Sequence, residues 1–212
     1  MKKIVVLISG EGLTLQALID ACKCGQIPAE ICAVVSNKPS AFGLQRAKQE
    51  NIPTQTFLRK NFADNQTMDQ AIGDYIQSLD ADLIVLAGYM KILTAEFTQR
   101  FVGKILNIHP SLLPKFPGLN TYQQALDAGE TEHGTTVHFV NEEVDAGAVV
   151  LQAKVPIFPE DNIEDIEQRV KAQELRIYPL VVQWFVQDRL KLINGLAYLD
   201  GQLLAPNGYA MD

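Results

Sequence analysis

No apolar run in this 212-residue chain approaches the roughly 20 residues that a membrane-spanning helix needs. The run at the amino terminus, Ile4-Val5-Val6-Leu7-Ile8, is also too short for the core of a signal peptide. A membrane partner is therefore not expected. Cysteine is scarce: Cys22, Cys24 and Cys32 crowd into one stretch, with no second cluster to complete a zinc site. We expect reduced thiols in the cytoplasm and no metal. Positive charge is in deficit, Lys+Arg 18 against Asp+Glu 25 for a net charge of −7, and no Lys/Arg run builds a local patch. A nucleic-acid partner is not expected on that ground. Gly-x-Ser-x-Gly is missing, so no nucleophile elbow is present. Internal repeats, low-complexity tracts and Gly/Ser linkers are missing too, which makes a single domain over residues 1–212 the simplest organisation.

What the chain does contain is 47% hydrophobic and 20% charged residues, enough to bury a core without staples. Apolar runs alternate with helix-period segments through the first half, the signature of a parallel sheet with crossover helices. Strands are expected at Ile4–Ile8, Ile31–Val35, Thr54–Phe57 and Asp82–Ala87, with helices over Leu13–Lys23, about Phe42–Glu50 and about Asn65–Leu79. Leu15, Leu18, Ile19 and Cys22 share one face of the first helix. Ile105–Ile108 is a further strand, running into a loop that Pro110, Pro114 and Pro117 stiffen. Strands at Thr135–Val140 and Val149–Val155 follow, then a helix over about Ile163–Val186 and a hairpin, Leu190–Ile193 with Ala197–Leu199, turning at Asn194-Gly195. The fold class is α/β: a Rossmann-like, open, mostly parallel twisted sheet with helices on both faces.

Ligands of such sheets bind beyond the carboxyl ends of the strands, which singles out four loops. Ser9-Gly10-Glu11-Gly12-Leu13-Thr14 opens a helix and suits either a tight turn or one phosphate. A dinucleotide fits poorly, because no third glycine follows at the required spacing and the second strand ends in Ser36-Asn37-Lys38 without an acid. Gly88-Tyr89-Met90-Lys91-Ile92-Leu93, taken by its residues alone, reads as packing at a helix start. Asn107 and His109 alternate on an extended segment; His109 is one of three histidines, with His133 and His138, and is either structural or catalytic. Asp145, in a polar turn, is either solvated or the partner of an imidazole. An amide, an imidazole and a carboxylate suit acyl-type transfer by direct attack of a substrate amine, without a covalent enzyme intermediate.

The segment Leu106-Asn107-Ile108-His109-Pro110-Ser111-Leu112-Leu113-Pro114 resembles the formyltetrahydrofolate-dependent formyltransferases. His133-Gly134-Thr135-Thr136-Val137-His138, Asp145-x-Gly147 and Leu151-Gln152-Ala153-Lys154-Val155-Pro156 continue the resemblance, as do Val5–Gly10 and Leu86–Met90. It implies 10-formyltetrahydrofolate as co-substrate, no metal, and transfer to the amine of glycinamide ribonucleotide in purine synthesis. A sugar-nucleotide amine as acceptor, and a folate-binding module without catalysis, are the alternatives. A nucleotide-binding half of about 1–100 and a catalytic and folate-binding half of about 101–212 are implied, in a monomer or weak homodimer.

The residues carried over by resemblance are Asn107, His109 and Asp145 for catalysis, with Thr136, His138 and Gly118 in support. Gly12, Leu13 and Thr14, with Lys171 and Glu174, are implied for the substrate phosphate. Asn65, Met90, Lys91, Ile92, Leu93, Asn107, Val140, Asn141 and Val144 are implied for the folate. The family pattern has Ser or Thr and then Asn where Leu13 and Thr14 stand, and commonly Arg at the places of Asn65 and Lys91. Lys91 and Asn65 keep polarity without the two-pronged reach of Arg.

Overall fold

The computed structural model describes residues 1–210, so positions 211 and 212 of the expected domain span lie outside the described residues. Two compact units divide the chain, Met1–Asn107 and Ile108–Asp212.

The first unit is built from fully apolar strands. β1 (Lys2–Ile8), β2 (Ala29–Ser36), β3 (Thr54–Thr56), β4 (Leu83–Leu86) and the start of β5 (Ile105–His109) pair in parallel in the order β3-β2-β1-β4-β5. Val5, Val6, Leu7, Val34, Val35, Leu83 and Val85 are completely buried, as continuous runs in a sheet covered on both sides must be. The helices are α1 (Leu13–Lys23), α2 (Gly43–Gln49), α3 (Asn65–Ser78) and α4 (Ala95–Arg100). From β1 the chain steps outward to β2 and β3, then returns to the other side of β1 as β4 and β5. Right-handed crossovers running in these two directions lay α1 and α2 on one face, α3 and α4 on the other. The strand order reverses between β1 and β4, the point at whose carboxyl ends open sheets of this kind bind ligands.

The second unit takes up β5 at Ile108 and His109 and adds an antiparallel pair, β6 (Glu132–Phe139) and β7 (Val149–Pro156). α5 (Thr121–Asp127) precedes β6, and α6 (Ile163–Val186) packs on both strands, with Ile166 and Val170 clustered against Val155 of β7. Asn162 accepts from Asp165 N–H while the Asp165 carboxylate accepts from Asn162 N–H, a reciprocal cap that starts α6 at the expected residue. The hairpin is present as β8 (Leu190–Ile193) and β9 (Leu196–Leu199), with Asn194 and Gly195 both left-handed as its two-residue turn requires. A third strand, β10 (Gln202–Leu203), pairs with β9 beyond Asp200-Gly201.

The expected elements are all present, with β1, β2 and β6 longer at one or both ends than the apolar runs suggested. Cys22 is only half-buried, and Ala21 takes the buried place beside Leu18 and Ile19. α5 was not expected, and α4 begins later than the helix start read into Gly88–Leu93: six and seven residues are too few for a helical period to register.

Candidate active site

His109 closes β5 and is buried. Its Nε2 lies 2.9 Å from the carbonyl oxygen of Phe116. A carbonyl can only accept, so Nε2 carries a hydrogen and donates it. Nδ1 is therefore the nitrogen that gains or loses a proton, and it faces Asp145 Oδ2 at 3.5 Å. That spacing is longer than a tight hydrogen bond. The Gly118 N–H donates to the same Asp145 oxygen at 2.8 Å, which fixes the carboxylate against the loop.

Both residues that hold the His109 ring sit in the left-handed backbone region, Phe116 at φ 52° and Asp145 at φ 54°. Such a conformation costs a bulky residue about 1–3 kcal/mol and persists where the surroundings impose it. For Asp145 the surroundings include Gly147, where a Cβ would stand 1.7 Å from the Phe139 carbonyl oxygen. His138 approaches Asp145 Oδ1 from the opposite side, Nε2 at 4.0 Å, while its Nδ1–H donates to Phe139 O at 2.8 Å. Burial pushes the His138 imidazole below its usual range, against the pull of Asp145.

The Pro110–Phe116 loop is tied at many points. Thr136 Oγ1 donates to Ser111 O at 2.7 Å and accepts from Leu113 N–H at 3.1 Å. Ser111 Oγ donates to Lys115 O at 2.6 Å, and Thr121 Oγ1 to Pro110 O at 2.6 Å. Thr135 Oγ1 lies 2.9 Å from His109 O and 3.3 Å from Glu174 Oε1. Burial pushes the Glu174 carboxyl up to about 7. Lys171 is exposed on α6 and pairs with Glu167 at 2.8 Å, one turn back. Val140 is half-buried; Asn141 and Val144 are exposed in the turn before Asp145, where Asn141 Oδ1 accepts from Glu143 N–H at 2.9 Å.

In the first unit, Asn107 ends the run paired with β4 and is half-buried. Gly12, left-handed at φ 77°, begins α1, whose first turn has neither a side-chain cap nor an acidic residue. A Cβ on Gly12 would lie 2.6 Å from Gly43 Cα, so the close approach of the two loops requires glycine. Leu13 is exposed and Thr14 half-buried. Arg46, which sequence reasoning missed, donates from Nε to Glu11 O at 2.8 Å and brings a guanidinium to this loop.

The Gly88–Leu93 segment is not the helix start that its residues suggested, since α4 begins only at Ala95. Met90 and Ile92 are exposed by 62% and 71% while Leu93 is buried, and polar anchors hold the backbone between them. Met90 N–H donates to Ser9 Oγ at 2.8 Å, and Ser9 Oγ to Asn37 Oδ1 at 2.6 Å. The buried Asp69 carboxylate binds Lys91 Nζ at 2.6 Å and Thr94 N–H at 2.8 Å. The Lys91 ammonium is thus already paired, and Asp69 is a second residue that sequence reasoning missed. Asn65 is exposed at the first position of α3, beside Asp64, whose carboxylate caps that helix. Among the described residues, no His/Cys/Asp/Glu group could hold a metal ion and no helix is long and apolar enough to cross a membrane.

Comparison with known proteins agrees with this picture. Residues 2–182 match the family model described as formyl transferase. The chain is 69% identical to a phosphoribosylglycinamide formyltransferase of Haemophilus influenzae and 53% identical to that of Escherichia coli, each over 99% of both chains. A solved phosphoribosylglycinamide formyltransferase from Coxiella burnetii superposes with a TM-score of 0.95 at 45% identity, over 100% of this chain and 99% of that one.

Proposed function

The chain belongs to the formyl transferase family, and from that premise we propose that this enzyme moves the formyl group of 10-formyltetrahydrofolate to the amine of 5-phosphoribosylglycinamide. The products are formylglycinamide ribonucleotide and tetrahydrofolate, in de novo purine biosynthesis. The observation that carries this reading is the His109 ring held between the Phe116 carbonyl and Asp145.

The amine lone pair attacks the formyl carbon, and the carbonyl electrons move onto oxygen. Asn107 donates a hydrogen bond to that oxyanion; one such donor is worth about 10²–10³ in rate. His109 carries its second proton on Nδ1, where the Asp145 carboxylate stabilises the imidazolium. From there it answers the charge on the oxyanion and supplies the proton that the departing folate nitrogen takes, a contribution of about 10²–10⁴. The attacking nitrogen loses one proton as the new C–N bond becomes an amide, and that proton returns to His109 Nδ1 in place of the one given to the folate nitrogen. The step balances without a metal.

The first unit offers the phosphate the uncapped N–H groups of Gly12, Leu13 and Thr14, with Arg46 adding positive charge. In the second, Lys171 and Glu174 serve the nucleotide. For the folate, exposed Met90 and Ile92 and the backbone of Lys91 and Leu93 serve in one unit, and Val140, Asn141 and Val144 in the other. Asn65 serves its tail. The substrates are small molecules, and we place the enzyme in the cytoplasm, as a monomer or weak homodimer.

The test mixes purified protein with 10-formyltetrahydrofolate and 5-phosphoribosylglycinamide and follows tetrahydrofolate by absorbance, with a no-acceptor control. Acceptor-dependent product is expected. Product without acceptor would make the protein a hydrolase, and product only with an amino-sugar nucleotide would replace the acceptor.

A further inference from the structure

We propose that Gln152 is a positioning residue for His109: its amide clamps the Ser111–Lys115 turn and so holds the Phe116 carbonyl against the His109 ring. The Gln152 Nε2 group donates both its hydrogens, to Leu113 O at 2.8 Å and to Thr136 Oγ1 at 3.0 Å. Gln152 and Thr136 are register partners across β6 and β7, so the amide starts from a rigid position.

The clamp has no slack. Thr136 Oγ1 accepts from Gln152 and from Leu113 N–H and donates to Ser111 O, which uses all the capacity of a hydroxyl. With both acceptor positions filled, the hydroxyl hydrogen can point only at Ser111 O. Leu113 is thereby held at both its N–H, by Thr136, and its carbonyl, by Gln152. Ser111 Oγ closes the turn on Lys115 O, and the next carbonyl in the chain, that of Phe116, receives the His109 Nε2–H. Gln152 touches no reacting group; it acts through this path. The donor requirement also decides the residue type, since a carboxylate at 152 would turn an oxygen toward the Leu113 carbonyl.

This inference rests on the proposed role of His109, and its test uses a signal that needs no acceptor. Gln152→Met keeps the length of the side chain and removes both donors; Gln152→Glu keeps the shape but puts an acceptor oxygen in place of the nitrogen that makes both donations. In ¹⁵N-labelled protein, the His109 Nε2–H is identified by its disappearance in His109→Gln. We expect that resonance, protected from exchange in the parent protein, to be lost or broadened in both Gln152 variants, with circular dichroism unchanged. In turnover, kcat is expected to fall about 10–100-fold, the size of effect that a misplaced catalytic group produces. KM for both substrates stays as it was. A folded variant that keeps the resonance and its kcat overturns the proposal. Loss of the fold in both variants overturns it as well, since Gln152 would then be a stability residue. Failure of the parent protein to formylate the acceptor would strike the proposed function while leaving the resonance to judge Gln152.

Discussion

The Nε2 of His109 donates to the main-chain carbonyl of Phe116 across 2.9 Å, from a residue whose own φ of 52° turns that carbonyl toward the ring. The bond commits one ring nitrogen permanently and leaves Nδ1, facing Asp145 at 3.5 Å, as the only place where the ring exchanges a proton. Asp145→Asn removes the charge that stabilises the second proton while keeping an oxygen for the Gly118 N–H. We expect a folded variant whose kcat is lower by about 10²-fold or more, within the range of acid–base catalysis. Steady-state kinetics with circular dichroism checks it, and near-parental turnover would remove Asp145 from the mechanism.

Gly147 is a strict requirement of the same turn. A methyl group there would meet the Phe139 carbonyl oxygen at 1.7 Å, so the backbone must move, and Asp145 lies two residues away. Gly147→Ala should cost about 1–3 kcal/mol of stability, the range for overpacking, and lower kcat besides. At Gly10 a Cβ would meet nothing within 4 Å, so Gly10→Ala serves as the mild control. Urea unfolding of the two variants makes the comparison.

Asp69→Asn tests whether the Lys91 loop is held for the folate. The substitution breaks a buried pair, side chains 1% and 12% exposed, and leaves Lys91 without its counter-charge. Breaking such a pair costs about 3–5 kcal/mol, reduced here by the freedom of a long ammonium to reach water. KM for 10-formyltetrahydrofolate should rise about tenfold, or 1.4 kcal/mol of binding, with kcat and the KM of the acceptor unchanged. A rise in the acceptor KM instead would place the loop elsewhere in the reaction.

Glu174 gives a pH prediction with a definite sign. Burial raises its carboxyl from the ordinary 4.5 to about 7 in the folded chain. Between those two values the folded state holds the proton that the unfolded state has released, so stability falls as pH rises through that window and levels off above it. At one unit per about 1.4 kcal/mol, the loss is about 3 kcal/mol. Glu174→Gln cannot ionise and should lack this slope. Thermal midpoints of both proteins from pH 5 to 8 test it, and parallel curves would mean that the carboxyl is not raised.

Much of this fold was legible because it is written in local signals. Unbroken apolar runs marked β1 and β4, and the length of α6 made that helix readable, while its Asn162–Asp165 cap emerged only from the structure. α5 stayed hidden because Asn120 at its start is left-handed and offers no side-chain cap, leaving seven residues with no boundary signal. In the site, His109 and Asp145 were nameable as residue types, but the Phe116 carbonyl is backbone and has no letter of its own. The tie between Asp69 and Lys91 spans 22 residues, and that of Gln152 to Leu113 spans 39. Such pairings follow from the crossovers and the strand register, which no window of sequence contains.

The central claim is direct transfer of one carbon from folate to an amine, and isotopes follow it bond by bond. With ¹³C in the formyl group of 10-formyltetrahydrofolate and ¹⁵N in the amine of 5-phosphoribosylglycinamide, NMR of the parent protein's reaction should reveal a one-bond ¹³C–¹⁵N coupling in the product. His109→Gln should slow its appearance by about 10²–10⁴. Release of ¹³C-formate with no coupled product, or coupling that forms equally fast without His109, would contradict the account.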